Sequence, residues 1–226
     1  MRSNPNPFLN PAAVRDYVLE TPRKVPGLAD LHKMAALLLA EQAPGAAADV
    51  LVVGAGGGLE IRAIAEMQPD WRFTGVDPSL AMLDIARQTT SLCADQTQFI
   101  HGTAVDAPAG PYDGAVCLLT LHFLDSRERL ETLQQIRTRL KPGGVFVAAH
   151  HTDVDGQAQL WLARSAAFAA SPNADPGQAA ASAKAMAERL PLLSQDREEA
   201  CFREAGFRLP SLFYAALSFR GWVMTA

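Results

Sequence analysis

Short apolar runs alternate along this chain with stretches in which apolar residues return every three or four positions. ADVLVV, WRFTGV, TQFIHG, YDGAVCLLT and GGVFVAAHH have the continuous apolar character of strands covered on both faces. Between them, residues 60–67, 80–90 and 127–140 carry helical spacing. This alternation predicts a parallel sheet built from βαβ crossovers, with helices on both faces. The punctuation agrees: Asp77-Pro78-Ser79 supplies a helix start, Ser126 a cap, and Lys141-Pro142-Gly143-Gly144 a helix stop and turn.

Either side of that core the pattern changes. Residues 14–43 are helical in period but interrupted by TPRKVPG at 21–27, which predicts two helices and a turn ahead of a linker over 44–48. After His151 the alternation lapses into Ala-rich helical spacing at 156–170 and 178–189, split by SPNADPG at 171–177. The chain returns with a helix ending at Ala205-Gly206-Phe207. It then closes with LFYAALSF and GWVMTA, an antiparallel hairpin expected to turn around Arg220-Gly221. The expected fold is α/β: a Rossmann-like, doubly wound, mainly parallel seven-stranded sheet with a C-terminal antiparallel hairpin and a helical cap.

Composition narrows the function classes. A chain of 226 residues, 49% hydrophobic and 19% charged, can bury one sizeable core. Its net charge of −4 argues against a broad basic face for nucleic acid. Cys93, Cys117 and Cys201 lie far apart with no CxxC pair, so they read as buried thiols of a reducing cytosol, and no metal site is expected. The opening MRSNPNPFLNP lacks the regions of a signal peptide, and no apolar run approaches the ~18 residues of a membrane span. A cytoplasmic protein without membrane association is expected, and the apolar cap and terminal hairpin leave a homodimer open.

The chemistry concentrates in VLVVGAGGGLE, where a strand ends in a glycine turn. A dinucleotide fingerprint would place a third glycine where Leu59 stands, and a phosphate loop would need a Gly-Lys-Ser/Thr ending. What stands here is Gly54-x-Gly56-x-Gly58, followed by a strand that closes on Asp77, an acid able to accept from both hydroxyls of a ribose. Adenosine fits this pair of features without a pyrophosphate.

VLVVGAGGG, TGVDPSLAMLDIAR, FIHGTAVDAP, YDGAVCLLTLHFL and LKPGGVFV, in this order, resemble the class I S-adenosylmethionine-dependent methyltransferases. The resemblance implies S-adenosyl-L-methionine as cofactor and S-adenosyl-L-homocysteine as product. It places Gly54, Ala55, Gly56 and Gly58 around the methionine and ribose, Asp77 on the ribose, and Pro78 and Ser79 beside the adenine. Thr103 and Ala104 take the adenine edge, and Leu119, Thr120 and His122 the side nearest the sulfonium. Val52 and Thr103 stand where the family usually carries an acid, with Asp106 close by. A single methyltransferase domain over 1–226 is expected, comprising an N-terminal helical cap (1–47), a cofactor-binding core (48–151), an inserted helical cap (152–192) and a C-terminal helix and hairpin (193–226).

RKVPGLADLHKMAALLLAE, LLTLHFLDSRERLETLQQIRTRLKPGG and EEACFREAGFRLPSLFYAALSFRGWVM extend the likeness to the carboxy-S-adenosylmethionine synthases of tRNA wobble-uridine modification. That subgroup uses prephenate and grips the new carboxylate with an arginine, at a place equivalent here to Ala183 or Lys184.

Methyl transfer from a sulfonium needs alignment, exclusion of water and, for an O or N acceptor, a base. His122 after the fourth strand and His150 and His151 after the fifth are the candidate bases for a small-molecule acceptor, although imidazoles at strand ends also serve as plain hydrogen-bonding caps. Glu60 reads as a charge favouring the start of its helix, and Asp153 and Asp155 as solvated turn residues. Trp161, Phe168, Met186 and Leu190 lie on cap helices, either lining an acceptor pocket or packing. A noncatalytic adenosine-binding regulator is the alternative of a different class.

Overall fold

The computed structural model describes residues 8, 10–41, 47–171 and 175–226. Most of the expected 44–48 linker and the middle of the 171–177 loop lie outside the described residues. Three N-terminal helices come first: α1 (Pro11–Val14), α2 (Tyr17–Lys24) and α3 (Leu28–Ala40). The core follows as β1 (Asp49–Val53), α4 (Leu59–Met67), β2 (Arg72–Asp77), α5 (Leu80–Thr89), β3 (Thr97–His101), β4 (Tyr112–Leu118), α6 (Ser126–Arg139) and β5 (Leu140–His151). Two further helices, α7 (Ala158–Ala169) and α8 (Pro176–Arg189), precede α9 (Gln195–Glu204), β6 (Arg208–Ala216) and β7 (Phe219–Thr225). Among the described residues no helix is long and apolar enough to cross a membrane.

The seven strands form one sheet in the order β3-β2-β1-β4-β5-β7-β6. All neighbours are parallel except β7, which runs antiparallel between β5 and β6. Chain order reverses between β1 and β4, which makes the space beyond their carboxyl ends the ligand-binding crevice of such a sheet.

Alternate residues of each strand feed opposite layers, which is why the strands read as continuous apolar runs. Val50, Val52, Val116 and Val147 pack with Leu31, Ile61, Ile64 and Trp71 on the α3/α4 face. Leu51, Ala115, Phe146 and Ala148 pack with Leu133, Ile136, Phe202 and Trp222 on the α6/α9 face. Burying each large apolar side chain contributes about 1.5–3 kcal/mol, so these layers hold the crevice rigid.

Three local expectations are corrected. The break at 21–27 is confined to Val25–Gly27, with Gly27 at φ 65°, because α2 runs on through Pro22 to Lys24. Proline's φ is helical, so Pro22 costs α2 a backbone donor without ending it. The stretch Lys141–Gly144 is not a turn but part of β5, where Leu140 pairs with Tyr112 and the register shifts before Gly114. Gly143, at φ 79°, takes up that irregularity.

The hairpin turns at Leu217–Ser218, with Leu217 at φ 53°, instead of at Arg220-Gly221. Gly221 is needed for close packing within β7, since a Cβ there would come within 3.1 Å of Tyr214 Cβ and 3.2 Å of Ala149 Cβ. Of the three thiols, only Cys117 is buried; Cys93 and Cys201 are half-buried.

Candidate functional site

Three glycines in left-handed conformation make the turn from β1 into α4: Gly54 (φ 72°), Gly56 (φ 47°) and Gly58 (φ 74°). A Cβ at Gly54 would lie 2.1 Å from Thr120 Oγ1, so the turn is pressed against the end of β4. The N–H groups of Gly54 and Ala55 donate to the Val76 carbonyl at 2.9 and 3.0 Å, hanging the turn on the end of β2.

Asp77 closes this arrangement. Its Oδ2 accepts from the Gly56 N–H at 2.9 Å and its Oδ1 from the Ser79 N–H at 2.8 Å. Each oxygen retains a lone pair for a further donor. Burial pushes the Asp77 pKa up, against the two backbone donors and His101, which favour the ionised form. The Ser79 hydroxyl accepts from the Met82 N–H at 3.2 Å, capping α5, and donates to the Phe8 carbonyl. His101 Nε2 stands 3.1 Å from the Pro78 carbonyl. Ala104 is buried, whereas Thr103 is exposed and joins Asp106 in a capping box, its N–H donating to Asp106 Oδ2 at 2.7 Å. The Asp106 carboxylate is thereby committed to its own turn.

Two residues given no site role by sequence reasoning enter here. Tyr17 of α2 lies over the glycine turn: a Cβ at Gly57 would sit 2.6 Å from its Cδ1. Its ring meets Phe8 edge-on at 6.2 Å, and Phe8 in turn meets Phe123 at 5.4 Å. Glu60, in the first turn of α4, is only 7% exposed. Burial, followed by the nearby Asp77, pushes its pKa up to about 8, with its own backbone N–H opposing. The signal for Glu60 was its place two residues after Gly58; nothing in the sequence marked Tyr17.

The second half of the site is the rim of β4 and β5. Leu119, at φ 58°, donates its N–H to the Ala149 carbonyl at 2.6 Å, and Thr120 Oγ1 donates to the Leu118 carbonyl at 3.1 Å. A short 3₁₀ turn, Leu121–Phe123, then places His122 with its ring centroid 4.9 Å from His151 and 6.5 Å from His150. His122 Nδ1 is buried without a hydrogen-bond partner. Burial, then His151, His150 and Arg129, hold the His122 pKa well below the usual imidazole value.

His151 Nδ1 is 2.7 Å from Ser218 Oγ, which is 2.6 Å from Ser165 Oγ of α7. Burial and then His150 lower the His151 pKa to about 3. His150 faces the other layer: its Nε2 is 3.0 Å from Glu198 Oε1, which also pairs with Arg129. The side chains of all three are 0% exposed. Arg129 Nη2 completes the tie by donating to the carbonyls of Leu124 at 3.2 Å and Pro191 at 2.9 Å. The structure thus brings His122 and His151 together at the rim and sets His150 against the buried Arg129–Glu198 pair in the other layer.

Elsewhere, Asp155 is exposed, but Asp153 is half-buried and bridges to Ser194. On the cap helices Phe168 is 53% exposed and Trp161 carries the Arg164 guanidinium at 4.3 Å, while Ala183 is buried and Lys184 exposed. Among the described residues no cluster of His, Cys, Asp and Glu could hold a metal ion.

Residues 51–146 match the family model of a methyltransferase domain. A carboxy-S-adenosyl-L-methionine synthase from Campylobacter lari is 30% identical over 61% of this chain and 58% of its own. The chain spans 48–58% of the length of the curated relatives it matches. An S-adenosylmethionine-dependent methyltransferase from Aquifex aeolicus superposes with a TM-score of 0.64 at 15% identity, covering 96% of this chain and 98% of its own. An O-methyltransferase family protein from Burkholderia thailandensis gives 0.66 at 16% identity, over 96% of this chain and 61% of its own.

Proposed function

We propose that this chain, whose residues 51–146 form a class I S-adenosylmethionine-dependent methyltransferase domain, methylates a small molecule at a hydroxyl held against the His122–His151 rim. The carrying observation is His122, a buried, neutral imidazole at the carboxyl end of β4, beside the glycine turn pressed against Thr120. The residues fit the cofactor: positive-φ glycines let the backbone approach closely, and Asp77 has lone pairs for two ribose hydroxyls. Bound there, S-adenosylmethionine supplies a methyl group already activated by its positive sulfur.

The chain's residues then have three tasks. Leu119 and Thr120, fixed by their bonds to Ala149 and Leu118, define the near wall. Phe8, Tyr17 and Phe123 form an edge-to-face aromatic row from the glycine turn toward the His122 turn. His122 would take the proton of the acceptor hydroxyl as it is methylated, with His151, held by Ser218, alongside.

The test is transfer of labelled methyl from S-adenosylmethionine to a panel of hydroxyl- and amine-bearing small molecules. The expected result is O-methyl product, with kcat reduced about 10²–10⁴-fold in His122→Gln while S-adenosylhomocysteine affinity holds. Undiminished transfer in that variant overturns the role of His122, and a bound cofactor with no transfer favours a noncatalytic regulator.

The Campylobacter relative favours a second reading, a carboxy-S-adenosylmethionine synthase. With Ala183 buried and Lys184 exposed, no arginine stands at the expected place. Incubation with prephenate and cofactor decides it: a nucleoside heavier by one carboxyl group establishes that activity, and an unchanged one removes it.

A further inference from the structure

We infer that the Glu60 carboxylate is the anchor for the α-ammonium of the cofactor's methionine tail, in place of the acid that Val52 does not supply. The inference rests on the cofactor reading above. Val52 is 0% exposed and packed in the α3/α4 layer, so β1 offers no charge to the crevice. Asp106, the other nearby acid, is closed into its capping box.

Glu60 has the opposite character. It follows Gly58 by two residues, in the turn that begins α4, and more than nine-tenths of it is buried. Among the described residues no side chain donates to its carboxylate; the donor that reaches it is its own backbone N–H. Burial disfavours the charged carboxylate and the single backbone donor offsets this only in part, which pushes its pKa up to about 8.

The groups that sense its charge come from the elements enclosing the glycine turn: Tyr17 of α2, Asp77 of β2 and Cys117 of β4. None of them is a cation. A primary ammonium entering here would meet a buried acid that no side chain pairs, at a helix start, and add a charge-assisted hydrogen bond to it.

Binding therefore releases a proton. At pH 7 Glu60 gives up about one proton as it ionises against the incoming ammonium, and affinity rises about tenfold per pH unit up to pH 8. Isothermal titration with S-adenosylhomocysteine, repeated in buffers of different ionisation enthalpy, counts that proton. 5′-Methylthioadenosine, which has the nucleoside and thioether without the amino-acid tail, is the control.

The expected result is about one proton released with S-adenosylhomocysteine and none with 5′-methylthioadenosine. Glu60→Gln should weaken S-adenosylhomocysteine about 10- to 100-fold, flatten its pH dependence and leave 5′-methylthioadenosine unchanged. Equal binding of S-adenosylhomocysteine by the wild-type protein and folded Glu60→Gln overturns the role of Glu60, and Glu60→Asp, which keeps the charge but withdraws it, replaces that comparison where Glu60→Gln misfolds. Failure of the wild-type protein to bind either ligand instead overturns the cofactor reading, and this inference with it.

Discussion

Asp77 and Gly56 are joined across the crevice by a 2.9 Å hydrogen bond in which the glycine N–H donates to the carboxylate. The acid proposed to hold the ribose therefore also holds the shape of the glycine turn. Its second oxygen does the same for Ser79.

Asp77→Ala should accordingly lose more than a ligand contact. It leaves two backbone donors unpaired, at about 1–3 kcal/mol each where water cannot replace the carboxylate. Chemical denaturation should show destabilisation, and equilibrium binding should show lost affinity for S-adenosylhomocysteine and 5′-methylthioadenosine alike, since both carry the ribose.

Gly54→Ala places a methyl 2.1 Å from Thr120 Oγ1 at a backbone φ of 72°. Thr120→Ala in the same chain should recover only part of the loss due to the clash, because the Cβ it keeps would still lie 2.8 Å from the new methyl. The left-handed conformation still costs roughly 1–2 kcal/mol. A thermal denaturation cycle over the two single variants and the double variant separates the contributions.

Glu198→Ala strands the Arg129 guanidinium in a wholly buried position and takes the partner of His150 with it. Loss of about 3–5 kcal/mol is expected. Replacing Arg129 and Glu198 together by Met and Leu should cost less than Glu198→Ala alone, as measured by urea denaturation.

Stability should peak near pH 6.5. Below it, His32 (folded pKa about 4), His151 (about 3) and His122 (well below the usual value) resist protons that the unfolded chain accepts. Each depressed group contributes stability that is lost as pH falls from about 6.5, at about 1.4 kcal/mol per unit. Glu60 acts in reverse: its raised pKa makes stability complete below about 4.5 and lost as pH rises toward 8. In urea titrations from pH 5 to 8, Glu60→Gln should be flat above 6.5 where the wild-type protein declines. His32→Gln should flatten the acid limb by about half, because Glu60 already offsets one of the three histidine contributions over this range.

Much of the sheet was legible because each buried strand announces itself as an apolar run and each crossover helix as a 3.6-residue period. The glycine turn and Asp77 were legible because their residue types answer a backbone and a hydrogen-bonding demand directly. Arg129 and Glu198 were not: they sit 69 residues apart in helices rich in charge, where a paired side chain and a solvated one look alike. Leu217 was missed because a leucine in left-handed conformation carries no turn signature, and Gly221 drew the expected turn to itself although packing required that glycine. The distinction between His150 and His151 depended on which layer each position of β5 faces, which follows from the sheet register.

The placement of β7 between β5 and β6 has a consequence during synthesis. β5 is complete when His151 leaves the ribosome, but the strand that covers its open edge ends 74 residues later, at Thr225. At roughly 5–20 residues per second, that edge waits about 4–15 s for its partner. Throughout that interval the nascent chain offers Val145, Phe146 and Val147 to any passing strand, which makes this the window in which a chaperone would have most to do.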